Sequence, residues 1–157
     1  MKDVPLGVLL GVGIPLFVAL LMGTIFYFVF SAIRKATART RAELEREGIV
    51  LDTGPTWITI RLSNFRGQGR AVGTGYEKTR ASLILSKERL VVVPSRWRFF
   101  RVNRADLGRY TVGTDGAALV IHTDDPPNAT GTIEYRVTPA DAQAWVKALV
   151  DAGARAR

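Results

Sequence analysis

Guanidinium groups are the most concentrated chemistry in this sequence. Residues 95–104 read SRWRFFRVNR, which places Arg96, Arg98, Arg101 and Arg104 among Trp97, Phe99 and Phe100. Guanidinium forks pair bidentately with phosphate, and Trp and Phe suit a headgroup boundary, so the run offers contact with an anion or an anionic surface. Arg61, Arg66 and Arg70 upstream extend this lipid- or anion-contacting candidate set. In a strand, alternation sends Arg96, Arg98 and Phe100 to one face and Trp97, Phe99 and Arg101 to the other. The run therefore also fits an edge strand with solvated arginines and a half-buried aromatic face, and that plainer reading is preferred to a single pocket.

Other reactive types are sparse. His122 is the one histidine, with Asp124 nearby, and a lone histidine supplies neither a metal set nor an acid–base pair. The chain has no Cys, which excludes disulfides and thiolate metal sites. No GxSxG, P-loop or HExxH pattern is present. GTGYEK at 73–78 lacks the Lys-Ser/Thr ending of a phosphate loop and reads as a turn, and Asp124-Asp125 beside two prolines reads as a surface loop. Asn128-Ala129-Thr130 fits a glycosylation sequon, which is used only on an exported domain. The expectation is a non-enzyme without cofactor or metal.

What must position these groups begins with the N-terminus. Residues 4–33 carry no charge, and Arg34 and Lys35 follow directly. A bilayer core needs about 20 apolar helical residues, so the stretch is long enough to span with some tilt. It is about twice as long as a signal-peptide core, and basic residues follow it, so a retained anchor is expected. Arg34, Lys35, Arg39 and Arg41 form a juxtamembrane basic group that outweighs Lys2 on the other side. The positive-inside rule then puts the N-terminus outside and the rest in the cytoplasm, as a single-pass protein of the inner membrane. Gly7 and Gly11 form a GxxxG pair, a candidate helix–helix contact and so a route to a homodimer, although such pairs also arise by chance in membrane helices.

The remaining residues make one ordinary domain. The net charge of +8 is uneven: residues 61–109 hold 12 Lys/Arg against 3 acids, residues 110–157 hold 4 against 6. One basic face is expected, open to anionic lipid, an acidic protein or nucleic acid. Arg outnumbers Lys and Ala, Val and Gly are frequent, a composition that points to a GC-rich bacterial source.

Residues 31–47 are strong helix formers with Arg39/Glu43 and Arg41/Glu45 pairs and no apolar stripe, which predicts a polar stalk ending at Gly48. After Gly48 the period becomes two. TWITIRLSN is a strand with Ile58, Ile60 and Leu62 on one face, and SNFRGQGRAVGTGYEK reads as Gly-rich turn. ASLILS and LVVVP flank a turn at 86–89 as a hairpin. WRFFRVN, LGRYTV, GAALVIHT and TGTIEYRV supply further strands, with a turn at 113–116. Thr138 is the expected N-cap, with Pro139 at N1, of a helix whose stripe is Ala142, Trp145, Val146, Leu149 and Val150. The fold class is mainly β (α+β): about seven strands in a barrel or sandwich, capped by a C-terminal helix. The divisions are 1–33 for tail and transmembrane helix, 34–48 for the stalk and 49–157 for the cytoplasmic domain.

Three stretches carry a resemblance. ASLILSKERLVVV at 81–93 resembles an L-x-L-T-x-x-R-L hairpin, with Ser86 in place of Thr and Arg89-Leu90 matching. FFRVNRADLGRYTV is similar to an I-P-hydrophobic-x-D-I strand and turn, with Asp106-Leu107 matching, and residues 130–152 give the terminal strand and helix. Together they resemble the pleckstrin-homology (PH) superfold, nearest its GRAM and bacterial PH-like branches. The resemblance implies a binding or scaffolding module and not a catalyst. Phosphoinositide-binding members carry basic residues round the first hairpin loop, where Arg61, Arg66 and Arg70 lie here without a clean spacing match.

Two functions are carried forward: a scaffold or adaptor for protein partners at the membrane, and a sensor of anionic lipid headgroups. Nucleic acid is not an expected partner, because no reading helix or RNA-binding aromatic motif accompanies the charge.

Overall fold

The structure, a computed structural model, describes residues 13–67, 70–93 and 101–157. Two compact units result, one ending at Arg39 and one spanning Thr40–Arg157. The Gly7/Gly11 pair lies outside the described residues.

Helix α1 (Ile14–Glu47) contributes to both units. From Ile14 to Ile33 its apolar side chains are exposed, including Leu16, Phe17, Phe26 and Phe30. Those residues rise about 30 Å, the thickness of a bilayer core. This helix is long and apolar enough to cross a membrane.

In the second unit the strands are β1 (Ile49–Asp52), β2 (Thr56–Gly67), β3 (Arg70–Ser86), β4 (Arg89–Val93), β5 (Arg101–Asn103), β6 (Thr111–Asp115), β7 (Ala118–Thr123), β8 (Ala129–Val137) and β9 (Arg155–Ala156). A 3-10 helix (Arg104–Arg109) follows β5, and α2 (Ala142–Asp151) follows β8. The sheet runs β5-β4-β3-β2-β8-β7-β6-β9, with β1 also on β3. All pairs are antiparallel except β6 with β9. β3 joins the two parts of the sheet. Residues 70–81 pair with β2 and residues 82–85 with β4, so the sheet curls round one core.

That core is built by alternation. Ile58, Ile60, Leu62 and Phe65 of β2, Leu119 and Ile121 of β7, and Ile133, Tyr135 and Val137 of β8 all point inward. Trp145 and Leu149 of α2 complete it from one side. A bulge shifts β2 between Leu62 and Phe65, with Asn64 at φ +50°. Gly131 on β8 makes this possible. Its φ is +96°, and a Cβ there would lie 2.5 Å from the Asn64 carbonyl oxygen. Gly131→Ala combines positive-φ strain with a backbone clash. It should cost about 2 kcal/mol or more, read as a fall in the denaturant midpoint with an unchanged m-value.

Several expectations need correction. Among the described residues there are nine strands, not about seven, because Ile49–Asp52 and Arg155–Ala156 also pair. The described residues of the Gly-rich segment are strand, not turn. FRG continues β2, and β3 begins at Arg70, its pairing with β2 overriding the low β-propensity of glycine. The first residues of LGRYTV lie in the 3-10 helix, and strand begins only at Thr111. Asp141, not Thr138, caps α2, its Oδ1 accepting from Ala144 N–H at 2.9 Å. The stalk is not polar all round. Leu44 is fully buried against Ile84, Val91 and Val93, so the helix end belongs to the domain.

Candidate functional site

The hairpin of β3 and β4 has both faces covered. Leu83, Leu85, Leu90 and Val92 face the main core, while Ile84, Val91 and Val93 face Leu44 of α1. Beside Leu44 sits a buried cation. The Arg89 side chain is 4% exposed. Its Nε donates to Glu47 Oε2 at 3.0 Å and its Nη2 to Glu43 Oε2 at 3.1 Å, and Nη2 also contacts Glu47 Oε1. Ser86 joins the group, its hydroxyl donating to Glu47 Oε2 at 2.7 Å and accepting from Arg89 N–H at 3.1 Å. Ser86 and Arg89 of the hairpin motif thus fasten the end of α1 to the sheet. A continuous apolar run such as LVVV, with no polar alternation, is the signal that both faces are buried. Leu44 alone on a polar helix was too little to name its cover.

A second arrangement lies on the outer face of β2 and β3. Trp57 stands opposite Arg80, Thr59 opposite Lys78 and Arg61 opposite Tyr76. Directly paired residues share a face, so these side chains form one ladder. Trp57 is 58% exposed and Tyr76 64% exposed. Lys78 Nζ lies 5.2 Å from the centroid of the Trp57 ring, within cation–π range. Among the described residues neither Lys78 nor Arg80 pairs with a carboxylate. Across β8 and β6 the same face becomes mixed in sign. Arg61 Nη1 is 3.9 Å from Glu134, and Arg136 bonds Glu134 at 2.8 Å and Asp115 at 2.7 Å. Those two carboxylates, Glu134 first, hold the Arg136 guanidinium above its already high pKa.

The arginines singled out in the sequence do not converge. Arg61 lies on the ladder just described, and Arg66 is exposed near the end of β2. Arg101 is exposed on β5, with β4 and β3 between it and β2. Arg104 donates to the Lys87 carbonyl at 3.0 Å and to that of Asp151 at 3.5 Å, which ties the 3-10 helix to its neighbours. Arg70 begins β3, and Arg96 and Arg98 lie outside the described residues. Of the juxtamembrane group, Arg34, Lys35 and Arg39 are exposed on α1, whereas Arg41 bonds Asp52 at 2.9 Å. The Arg41/Glu45 pair forms at 3.5 Å, while Glu43 turns to Arg89. Lys78, Arg80, Tyr76 and Trp57 were not among the singled-out residues. The signal is the alternation of β2, which puts Trp57, Thr59 and Arg61 on the face opposite Ile58, Ile60 and Leu62.

His122 Nε2 lies 3.3 Å from Asp124 Oδ1, which also accepts from Thr132 Oγ1 at 2.8 Å. The Thr132 hydrogen bond first, then His122, holds the exposed Asp124 carboxyl below its usual pKa. Among the described residues no group of three or more His, Cys, Asp or Glu is placed to hold a metal ion.

No known family model matches this chain, and no curated protein resembles it at a significant level. The reading of its function therefore rests on its own residues.

Proposed function

We propose that the chain is a membrane-anchored, non-catalytic binding module, a PH-like domain that serves as a scaffold or adaptor for a protein partner. In this reading it is held at the cytoplasmic face of a bacterial inner membrane with its N-terminus outside. The observation that carries it is the composition of α1. One helix supplies both a stretch apolar enough to cross a membrane and, through Leu44, Glu43 and Glu47, part of the folded β unit. A domain that begins on its own anchor is suited to holding something at the membrane. The curled sheet and C-terminal helix support the PH-like part, and Arg34, Lys35 and Arg39 support the orientation.

Purification of the full chain from its native membranes in mild detergent tests this, with and without reversible cross-linking. A stoichiometric protein partner retained through a second column is expected. Recovery of nothing above a tag-only control sinks the scaffold reading.

Sensing of anionic headgroups is the second reading, favoured by Arg66 and Arg101, which are exposed and without ion pairs among the described residues. Each basic group near an anionic surface contributes on the order of 1 kcal/mol. Full chain in nanodiscs with anionic instead of neutral lipid should then show slower hydrogen exchange around these arginines at low salt, reversed at high salt. Identical exchange in both lipids ends this reading.

A further inference from the structure

We infer that the outer ladder of β2 and β3 is a docking surface for a protein segment rich in Asp and Glu that also carries an apolar side chain. The proposal deepens the scaffold reading and rests on it, by naming the surface and the chemistry of the partner.

Four side chains make the case. Trp57 and Tyr76 are large, amphipathic and mostly exposed, and they sit at opposite ends of the ladder, Trp57 beside Arg80 and Tyr76 beside Arg61. Strand geometry separates Trp57 from Arg61 by about 13 Å, enough to seat a short run of residues. Lys78 stands between the aromatics and Arg80 beside Trp57, both cations without a carboxylate among the described residues. Trp, Tyr and Arg are the types that dominate binding energy at protein interfaces, where two-χ aromatics lose little freedom on contact. The ladder is fixed by backbone pairing on both strands, so the site is formed before anything binds.

Charge decides the class of partner. Glu134, Asp115 and their Arg136 continue the same face towards β6, and Arg61 is drawn to Glu134. An anionic bilayer presents negative charge throughout and would meet these carboxylates unfavourably. A folded partner or peptide can place acids over Lys78 and Arg80 and bases or neutral groups over Glu134. The pattern of signs on this face therefore fits a protein, with register, better than a fluid headgroup layer.

The test uses the full chain in its native membranes, with benzoylphenylalanine at position 76 in place of Tyr76. Irradiation should give a discrete protein adduct whose cross-linked peptide is rich in Asp and Glu. Adding Lys78→Glu and Arg80→Glu should reduce its yield about tenfold or more, since like charges would then face each other. Both positions are exposed, and an unchanged unfolding midpoint shows that the variant retains the fold. Adducts only with lipid, no adduct, an adduct on a non-acidic segment, or one insensitive to the charge reversal each overturn the proposal. The same photoprobe at Arg66 and Arg101 separates the two failures. A partner captured only from those positions removes this surface and leaves the scaffold reading standing, whereas no capture from any position removes both.

Discussion

Replacing both Glu43 and Glu47 with alanine should destabilise the Thr40–Arg157 unit by about 3–5 kcal/mol, the range for a buried charge stripped of its partners. The Arg89 side chain, 4% exposed in the parent, would keep its charge with no carboxylate to compensate its lost hydration. The Ser86 hydroxyl would lose its 2.7 Å acceptor as well. Glu47→Ala alone should cost less, because Glu43 still reaches Nη2 at 3.1 Å. Arg89→Met with Glu47→Leu should fall within about 1–2 kcal/mol of the parent, since apolar groups of similar volume replace a buried ion pair with little loss. Denaturant unfolding of the full chain in detergent, followed by near-UV circular dichroism, measures all three. A Glu43/Glu47 double variant as stable as the parent would remove the cluster from the account of the fold. The same reasoning sets where a soluble fragment must begin. One starting at residue 40 keeps Leu44 and both carboxylates, while one starting at residue 48 loses them and should fail to fold or melt far earlier.

Above pH 10 the same unit should lose stability at about 2.7 kcal/mol per pH unit, the sum of two tyrosines at about 1.36 each. Burial raises the phenol pKa of both Tyr110 and Tyr135, with Asp106 adding to the first and Tyr110 to the second. In the unfolded chain both phenols ionise near pH 10. The folded pKa lies above the unfolded one, so the contribution is complete below pH 10 and declines as pH rises beyond it. Tyr110→Phe with Tyr135→Phe should flatten the alkaline limb while leaving the neutral plateau within the cost of two lost hydroxyls. If the double variant unfolds with the same alkaline slope, burial of these phenols is not its cause.

Much of the fold was written locally. The inward residues of β2 and β8, the turn at 86–89 and the Trp145/Leu149 stripe follow from periods of two and of 3.6, which one strand or helix expresses by itself. What stayed hidden depends on partners distant in sequence. β9 has two residues and exists because Tyr110 and Val112 accept from Arg155 and Arg157 N–H groups. The Gly-rich start of β3 is strand because β2 pairs with it. Arg89 is recognisable as part of a hairpin motif, but its carboxylates lie more than forty residues upstream. The candidate surface shows the same limit. A dense run of arginines at 95–104 stood out in sequence, whereas the Trp57–Arg80 ladder draws on two strands and becomes visible only when their register is known.

The pairing of β2 with β8 has a consequence for synthesis. β2 ends at Gly67 and its second neighbour begins at Ala129, so one whole edge of the strand waits while the intervening chain is made. Closing so long a loop is slow compared with forming the adjacent β2–β3 pair. A nascent chain leaving the ribosome therefore presents an unpaired backbone edge on a strand whose apolar face, Ile58, Ile60 and Leu62, still lacks its β8 neighbours, the kind of edge that recruits another strand.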